Sequence, residues 1–263
     1  MKIISFKILT FLGLSLLFCF NNNVAAQKDT DFWFAAPEVA SSIGDNPVVL
    51  RFLSYGSPAT VTVTQPANGA FAPIVLSLAA NAIDSVDLTP FLSDIESPAG
   101  NVVSDNGIRI TSTSIITAYY ELNASGNKEL FSLKGSQSLG KNFYTPFQKS
   151  WDVGSTTPAS FSSIEIVATE DGTTVLITPK TNIIGHPANS SFSVSLNEGE
   201  TYSARDLSVD ADSSLSGSIV SSDKPIAVTV FNGALSSSGC TSTMGDQITP
   251  ADYIGSNYII YKG

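Results

Sequence analysis

The chain has one histidine, two cysteines, two methionines and two tryptophans in 263 residues. A lone histidine, His186, excludes histidine-rich metal clusters. Two cysteines exclude a disulfide-stapled scaffold and a multi-cysteine zinc site. Charge is scarce as well: Asp, Glu, Lys and Arg make up 14% of the residues, against roughly 25% in an ordinary soluble domain. Basic residues are the scarcer sign, 13 against 23 acidic, for a net charge of −10. So acidic a chain repels phosphate backbones, which argues against a nucleic-acid partner. Helical periodicity is nearly absent.

What is present points one way. Hydrophobic residues make up 43%, enough for a packed core. Polarity comes mainly from hydroxyls, 39 Ser and 22 Thr, and turns are supplied by 19 Gly and 13 Pro. That mix suits many short strands joined by turns.

The first 26 residues read as an export signal. Lys2 and Lys7 make a positive start, residues 8–20 are an apolar run, and Val24-Ala25-Ala26 offers small residues for cleavage. The run is too short for a spanning helix, which needs about 20 residues. Bulky Phe18 ahead of Cys19 does not suit a lipoprotein signal. The mature chain is expected to start at Gln27. Loss of Lys2 and Lys7 leaves 11 basic and 23 acidic residues, a net of −12. No later segment is apolar enough to span a membrane, so the protein is expected to be secreted and associated with the cell surface.

The remainder reads as strands. Thr60-Val61-Thr62-Val63-Thr64 alternates strictly, the mark of a half-buried strand. Further strands are expected at residues 48–53, 74–78, 85–88, 108–111 and 115–120, each bounded by Gly, Pro, Asn or Ser. Residues 89–96 predict one short helix, with Thr89 capping and Pro90 in the first turn.

This pattern occurs twice. Residues 60–64 match 174–178, 76–81 match 194–199, 107–112 match 217–222, and 116–120 match 226–230, at offsets of 110 to 118. An opening strand recurs three times, in Thr30-Asp31-Phe32-Trp33-Phe34, Leu139-Gly140-Lys141-Asn142-Phe143-Tyr144 and Ile254-Gly255-Ser256-Asn257-Tyr258-Ile259. The expected organisation is all-β: a signal peptide over 1–26, tandem β-sandwich modules of about seven strands over 27–137 and 138–248, and the opening strand of a further module over 249–263.

Two stretches resemble a known family. Asp29-Thr30-Asp31-Phe32-Trp33-Phe34-Ala35-Ala36-Pro37-Glu38 is similar to the opening of IgGFc-binding-protein N-terminal domains. Lys224-Pro225-Ile226-Ala227-Val228-Thr229-Val230, Gly239-Cys240, Gly245-Asp246-Gln247-Ile248-Thr249-Pro250 and Tyr253-Ile254-Gly255-Ser256-Asn257-Tyr258 follow in that family's order. The family occurs at the start of large secreted proteins, including surface proteins of Gram-negative bacteria that use type IX secretion. The resemblance implies a non-catalytic binding or adhesion role, with a structural spacer as the alternative. The ligand is a protein or glycan whose identity it leaves open, Fc included, because specificity lies in sites and not in folds.

Candidate chemistry is thin, and no catalytic residue, cofactor or metal is expected. His186 sits in a Gly-Pro loop with no nucleophile elbow nearby. Glu38 and Glu121 each end a strand and are the pair to weigh for a hydrolase. Asp210-Ala211-Asp212-Ser213-Ser214 alternates oxygen ligands but lacks the rest of a calcium loop. Gly245-Asp246-Gln247 reads as turn chemistry, and Cys240 as a disulfide partner for a cysteine beyond residue 263. Phe32, Trp33, Phe34, Phe143 and Tyr144 are expected in the core rather than on a sugar-stacking face.

Overall fold

The computed structural model describes residues 27–97, 99–237 and 240–253. The expected export signal and the strand expected at 254–259 lie outside the described residues. The chain is all-β. Its first module runs β1 (Asp29–Phe34), β2 (Val48–Ser54), β3 (Ala59–Thr64), β4 (Ile74–Leu78), β5 (Ile83–Asp87), β6 (Val103–Ser104), β7 (Ile108–Ala124) and β8 (Asn127–Leu133). The second runs β9 (Gly140–Tyr144), β10 (Ser162–Ala168), β11 (Thr173–Thr178), β12 (Phe192–Leu196), β13 (Thr201–Arg205), β14 (Ile219–Ser237) and β15 (Cys240–Ile248).

The period-2 pattern sets which face is buried. In β3, Ala59, Val61 and Val63 are buried, while Thr60, Thr62 and Thr64 point outward. In β2, Val48, Leu50, Phe52 and Ser54 are buried. Each fully buried side chain of this size contributes about 1.5–3 kcal/mol relative to exposure.

One long strand organises each module. The first half of β7 pairs with β3 and β1, and its second half with β2 and β8. The sequence predicts two strands here; they are continuous. Ser112 Oγ donates to the Ser114 carbonyl at 2.7 Å, and the β1 register slips between Asp29 and Asp31. This irregularity carries the strand from one layer to the other without a break. The layers are therefore β4-β3-β7-β1 and β5-β2-β7-β8. Phe32, Phe34, Val61 and Ile110 from the first and Leu50, Phe52, Tyr120 and Phe131 from the second share one core.

The second module repeats this plan. β14 pairs with β11 and β9, then with β10 and β15. The registers coincide as well: Val61 faces Ser112 as Val175 faces Ser222, and Leu50 faces Tyr120 as Ile164 faces Val230. A common pairing register at every equivalent strand is what a duplication produces. The short helix appears as a 3-10 turn (Thr89–Phe91) followed by Leu92–Ile95, with Pro90 early as expected. Thr89 does not cap it; its Oγ1 accepts the Val48 N–H at 3.0 Å.

The modules are joined by more than a linker. β6 leaves the first module and pairs antiparallel with β13 of the second. Trp33 and Ala35 pack on Val167 and Ala227, with Leu139 alongside. Phe231 of the second module enters the core of the first. Every residue of β10 and β13 is buried, so both of their faces are covered. No helix among the described residues is long and apolar enough to cross a membrane.

Candidate binding surface

The residues singled out by the sequence do not converge. Glu121 is held by Arg51 in a two-pronged ion pair at 2.6 and 2.8 Å. Glu38 pairs instead with Arg205 of the second module, at 2.8 Å. Each carboxylate is neutralised by its own arginine, so the two form no acid–base pair. The ring of His186 stacks on Phe192 with centroids 3.4 Å apart, and its Nε2 lies 3.0 Å from Asn101 Oδ1. Asn101 also accepts the Tyr202 hydroxyl at 2.8 Å. His186 thus fastens a loop of the second module to the first.

Gly245-Asp246-Gln247 joins the modules. Asp246 accepts Lys134 Nζ at 2.7 Å. The Gln247 amide takes the Lys134 N–H at 2.8 Å and donates to the Trp33 carbonyl at 2.6 Å. Phe32, Trp33, Phe34 and Phe143 are buried as expected. Tyr144 departs from expectation: it is 61% exposed, because its neighbour Phe143 takes the inward position and the pleat turns Tyr144 outward.

Several buried carboxyls gave no signal in the sequence. Burial, then the Asp45 carboxylate beside it, pushes Glu96 up to about 9. Burial raises Glu165 as well, although Ser203 Oγ donates to it at 2.8 Å. Burial alone pushes Asp206 up to about 6. Glu165 lies near Arg205, which bonds the Ser97 carbonyl and Ser203 Oγ and lies 4.1 Å over the Phe161 ring, whereas Glu96 lies within the first module beside Asp45.

Among the described residues one exposed aromatic sits in a cleft. Trp151 is 45% exposed on the loop between β9 and β10. Gln148 builds that loop: its Oε1 accepts the N–H groups of Ser150 and Trp151 at 2.8 and 2.9 Å, and its Nε2 donates to the Trp151 carbonyl at 2.7 Å. Beyond the indole, Val153 N–H bonds the Val209 carbonyl and Gly154 N–H bonds the Ala234 carbonyl. Ala234 has φ of 47°, in the left-handed region, where β14 slips register against β15. This bulge opens an apolar cavity of about 280 Å³ between Trp151, Leu235, Cys240 and Met244. On the other side of the indole lies a polar depression of about 380 Å³, lined by Lys149, Asp152, Asp210 and Asp212. Asp206 lines the narrow cleft between them.

The calcium-like loop therefore forms a polar rim. Asp152 Oδ1 accepts the Ala211 N–H at 2.8 Å, which ties the loop to the Trp151 segment. No group of three carboxylate, His or Cys ligands is assembled among the described residues. A larger depression of about 500 Å³ is lined by Lys28 and Tyr55, but the Lys28 ammonium already sits over that ring at 3.9 Å. An apolar floor, a single exposed indole and a charged rim suit the apolar face of a sugar or a peptide side chain.

A family model described as IgGFc binding protein matches residues 131–263. The chain belongs to this family. The match begins within β8 and takes in the whole second module, Trp151 included. The Lys224 to Tyr258 motifs lie inside it, and the Asp29 to Glu38 motif lies outside. The IgGFc-binding family is one of non-enzymatic binding modules. No curated protein and no solved structure gives a significant match to the chain. The sequence reading does not single out Trp151; its polar flanks, Lys149-Ser150 and Asp152, are the local signal that sets it on a loop.

Proposed function

We propose that this protein is a secreted, cell-surface adhesion module that binds an extracellular protein or glycan through the Trp151 cleft. The observation that carries the reading is the exposed indole between an apolar cavity and an acidic rim, on the module that the family model matches. Export by residues 1–26, a bacterial surface location with type IX secretion, and module boundaries at 27–137, 138–248 and 249 onward belong to the same proposal. The positive start and apolar run of residues 1–26 support export, and the repeated register supports the first two modules.

The chain holds two tryptophans, Trp33 buried and Trp151 exposed, so emission reports on the cleft. Titration with immunoglobulin Fc and, separately, with mucin glycoprotein is expected to give a saturable emission change with one of them. Trp151→Ala is expected to abolish that binding. Wild-type affinity in Trp151→Ala removes the cleft from the proposal. Binding of neither probe favours the second reading, a spacer. The interlocked modules, with β6 shared across the junction, are what a rigid spacer requires.

A further inference from the structure

The two modules share one fold but not one environment, and the difference identifies a docking surface. In the first module Trp33 pairs across the strands with Arg109, and both side chains lie on the outer face of the layer β4-β3-β7-β1. The second module covers this face. Trp33 is 3% exposed, packed on Val167 and Ala227, and Arg109 pairs with Glu198 of the second module at 3.2 Å.

The equivalent pair in the second module is Tyr144 and Ile219, which face each other in the same register. Nothing among the described residues covers them: Tyr144 is 61% and Ile219 is 42% exposed. Leu176, on the neighbouring strand β11 and outward-facing, extends the band. Three large apolar side chains on a flat sheet face are an uncommon surface for a soluble chain.

The other half of the contact is also duplicated. The second module docks through the outer face of its layer β13-β10-β14-β15, where Val167 pairs with Ala227 and Glu165 with Thr229. The equivalents in the first module are Leu53 with Thr117 and Arg51 with Tyr119. On the outside of the tandem Arg51, Leu53 and Tyr119 of this face are half-buried and Thr117 is buried under Tyr55, while its edges carry Ile83, 63% exposed, and exposed Leu130. Their equivalents, Thr201 and Gly245, lie inside the junction. The tandem thus shows at one end the receiving face of its own internal contact, and at the other end the inserting face.

We infer that a second copy of this chain docks its Leu53–Tyr119 face on the Tyr144–Ile219 face, repeating between chains the contact made within each. The contact is heterologous: each chain uses two different faces, so association continues head to tail beyond the dimer. Shape argues for this occupant, since the receiving face in the first module is already seen to accept a sheet of this fold.

Sedimentation velocity of the full mature chain, at physiological salt so that its acidity is screened, tests the inference. The sedimentation coefficient is expected to climb with concentration past the dimer value. Two surface variants each remove one face: Tyr144→Asp with Ile219→Asp, and Ile83→Asp with Leu130→Asp. Each variant alone is expected to stay monomeric with an unchanged circular dichroism spectrum. An equimolar mixture of the two is expected to form dimers and stop there, because each chain keeps one working face. A wild-type chain that stays monomeric to millimolar concentration overturns the inference and leaves a module in the same chain as the occupant. Association that both variants retain overturns it too.

Discussion

Arg205 of the second module closes on Glu38 of the first, Nη1 to Oε2 at 2.8 Å, and its other nitrogens bond the Ser97 carbonyl and Ser203 Oγ. The arginine side chain is nearly buried, so its removal strands several partners at once. Glu38 is itself partly exposed, so Arg205→Ala is expected to lower stability by about 1–3 kcal/mol, the scale for leaving buried acceptors without a donor. Glu38→Gln, which keeps a hydrogen-bond acceptor, is expected to cost less than half as much. Urea unfolding of both variants measures this. Equal losses would show that the charge and not the hydrogen-bond set holds the junction.

Glu96 makes stability depend on pH. Its folded-state value is pushed up to about 9 from an ordinary 4.5 by burial and by Asp45. The folded chain therefore holds a proton that the unfolded chain has released. Below the unfolded value this costs nothing; stability then declines as pH rises from about 4.5 towards 9. Asp206, up to about 6, adds a decline at the lower end of the same window. The slope from one such group is at most about 1.4 kcal/mol per pH unit. Thermal melts are expected to show a falling midpoint from pH 5 to 9. Glu96→Gln is expected to flatten the upper half of that fall. An unchanged slope in the variant would remove Glu96 as its source.

Gly245 faces Phe131 across the junction. A Cβ built there lies 2.4 Å from Phe131 Cε1 and 2.9 Å from the Val230 carbonyl oxygen. Gly245→Ala is expected to cost about 1–3 kcal/mol through overpacking. Adding Phe131→Leu, which withdraws the ring, is expected to recover part of the loss. A double-mutant cycle by denaturant titration reads the coupling.

Unfolding is expected to be one transition and not two. Phe231 of the second module lies in the core of the first, and β6 of the first completes a sheet of the second. Neither module keeps its core when the other opens. Circular dichroism and the combined emission of Trp33 in the junction and Trp151 in the second module are expected to give coincident curves. A plateau between separate transitions would show that the junction is weaker than either core.

Much of this architecture was legible in the sequence because a strand's period of two writes burial directly into the residues. Thr60 to Thr64 and Thr174 to Thr178 alternate, and both are strands at equivalent places. Residues 108–120 misled because the turn-like Ser112-Thr113-Ser114 reads as a break, while the long strand bends there through a side-chain bond to its own backbone. The junction was illegible for a different reason. β10 is buried on both faces, yet Ser163 and Glu165 occupy its second face, and these residue types read as solvent-facing. Their burial depends on a second module whose approach no local pattern encodes. The Trp151 cleft is illegible likewise: it arises where β14 slips register at Ala234, and alanine carries no mark of a left-handed backbone.

The long strand has a mechanical meaning. β14 spans 19 residues and is paired on both flanks, by β11 and β10 on one side and by β9 and β15 on the other. A tensile load passing along it strains these ladders side by side in shear, and they cannot peel open one bond at a time. The duplication supplies this resistance twice in series, through β7 and β14.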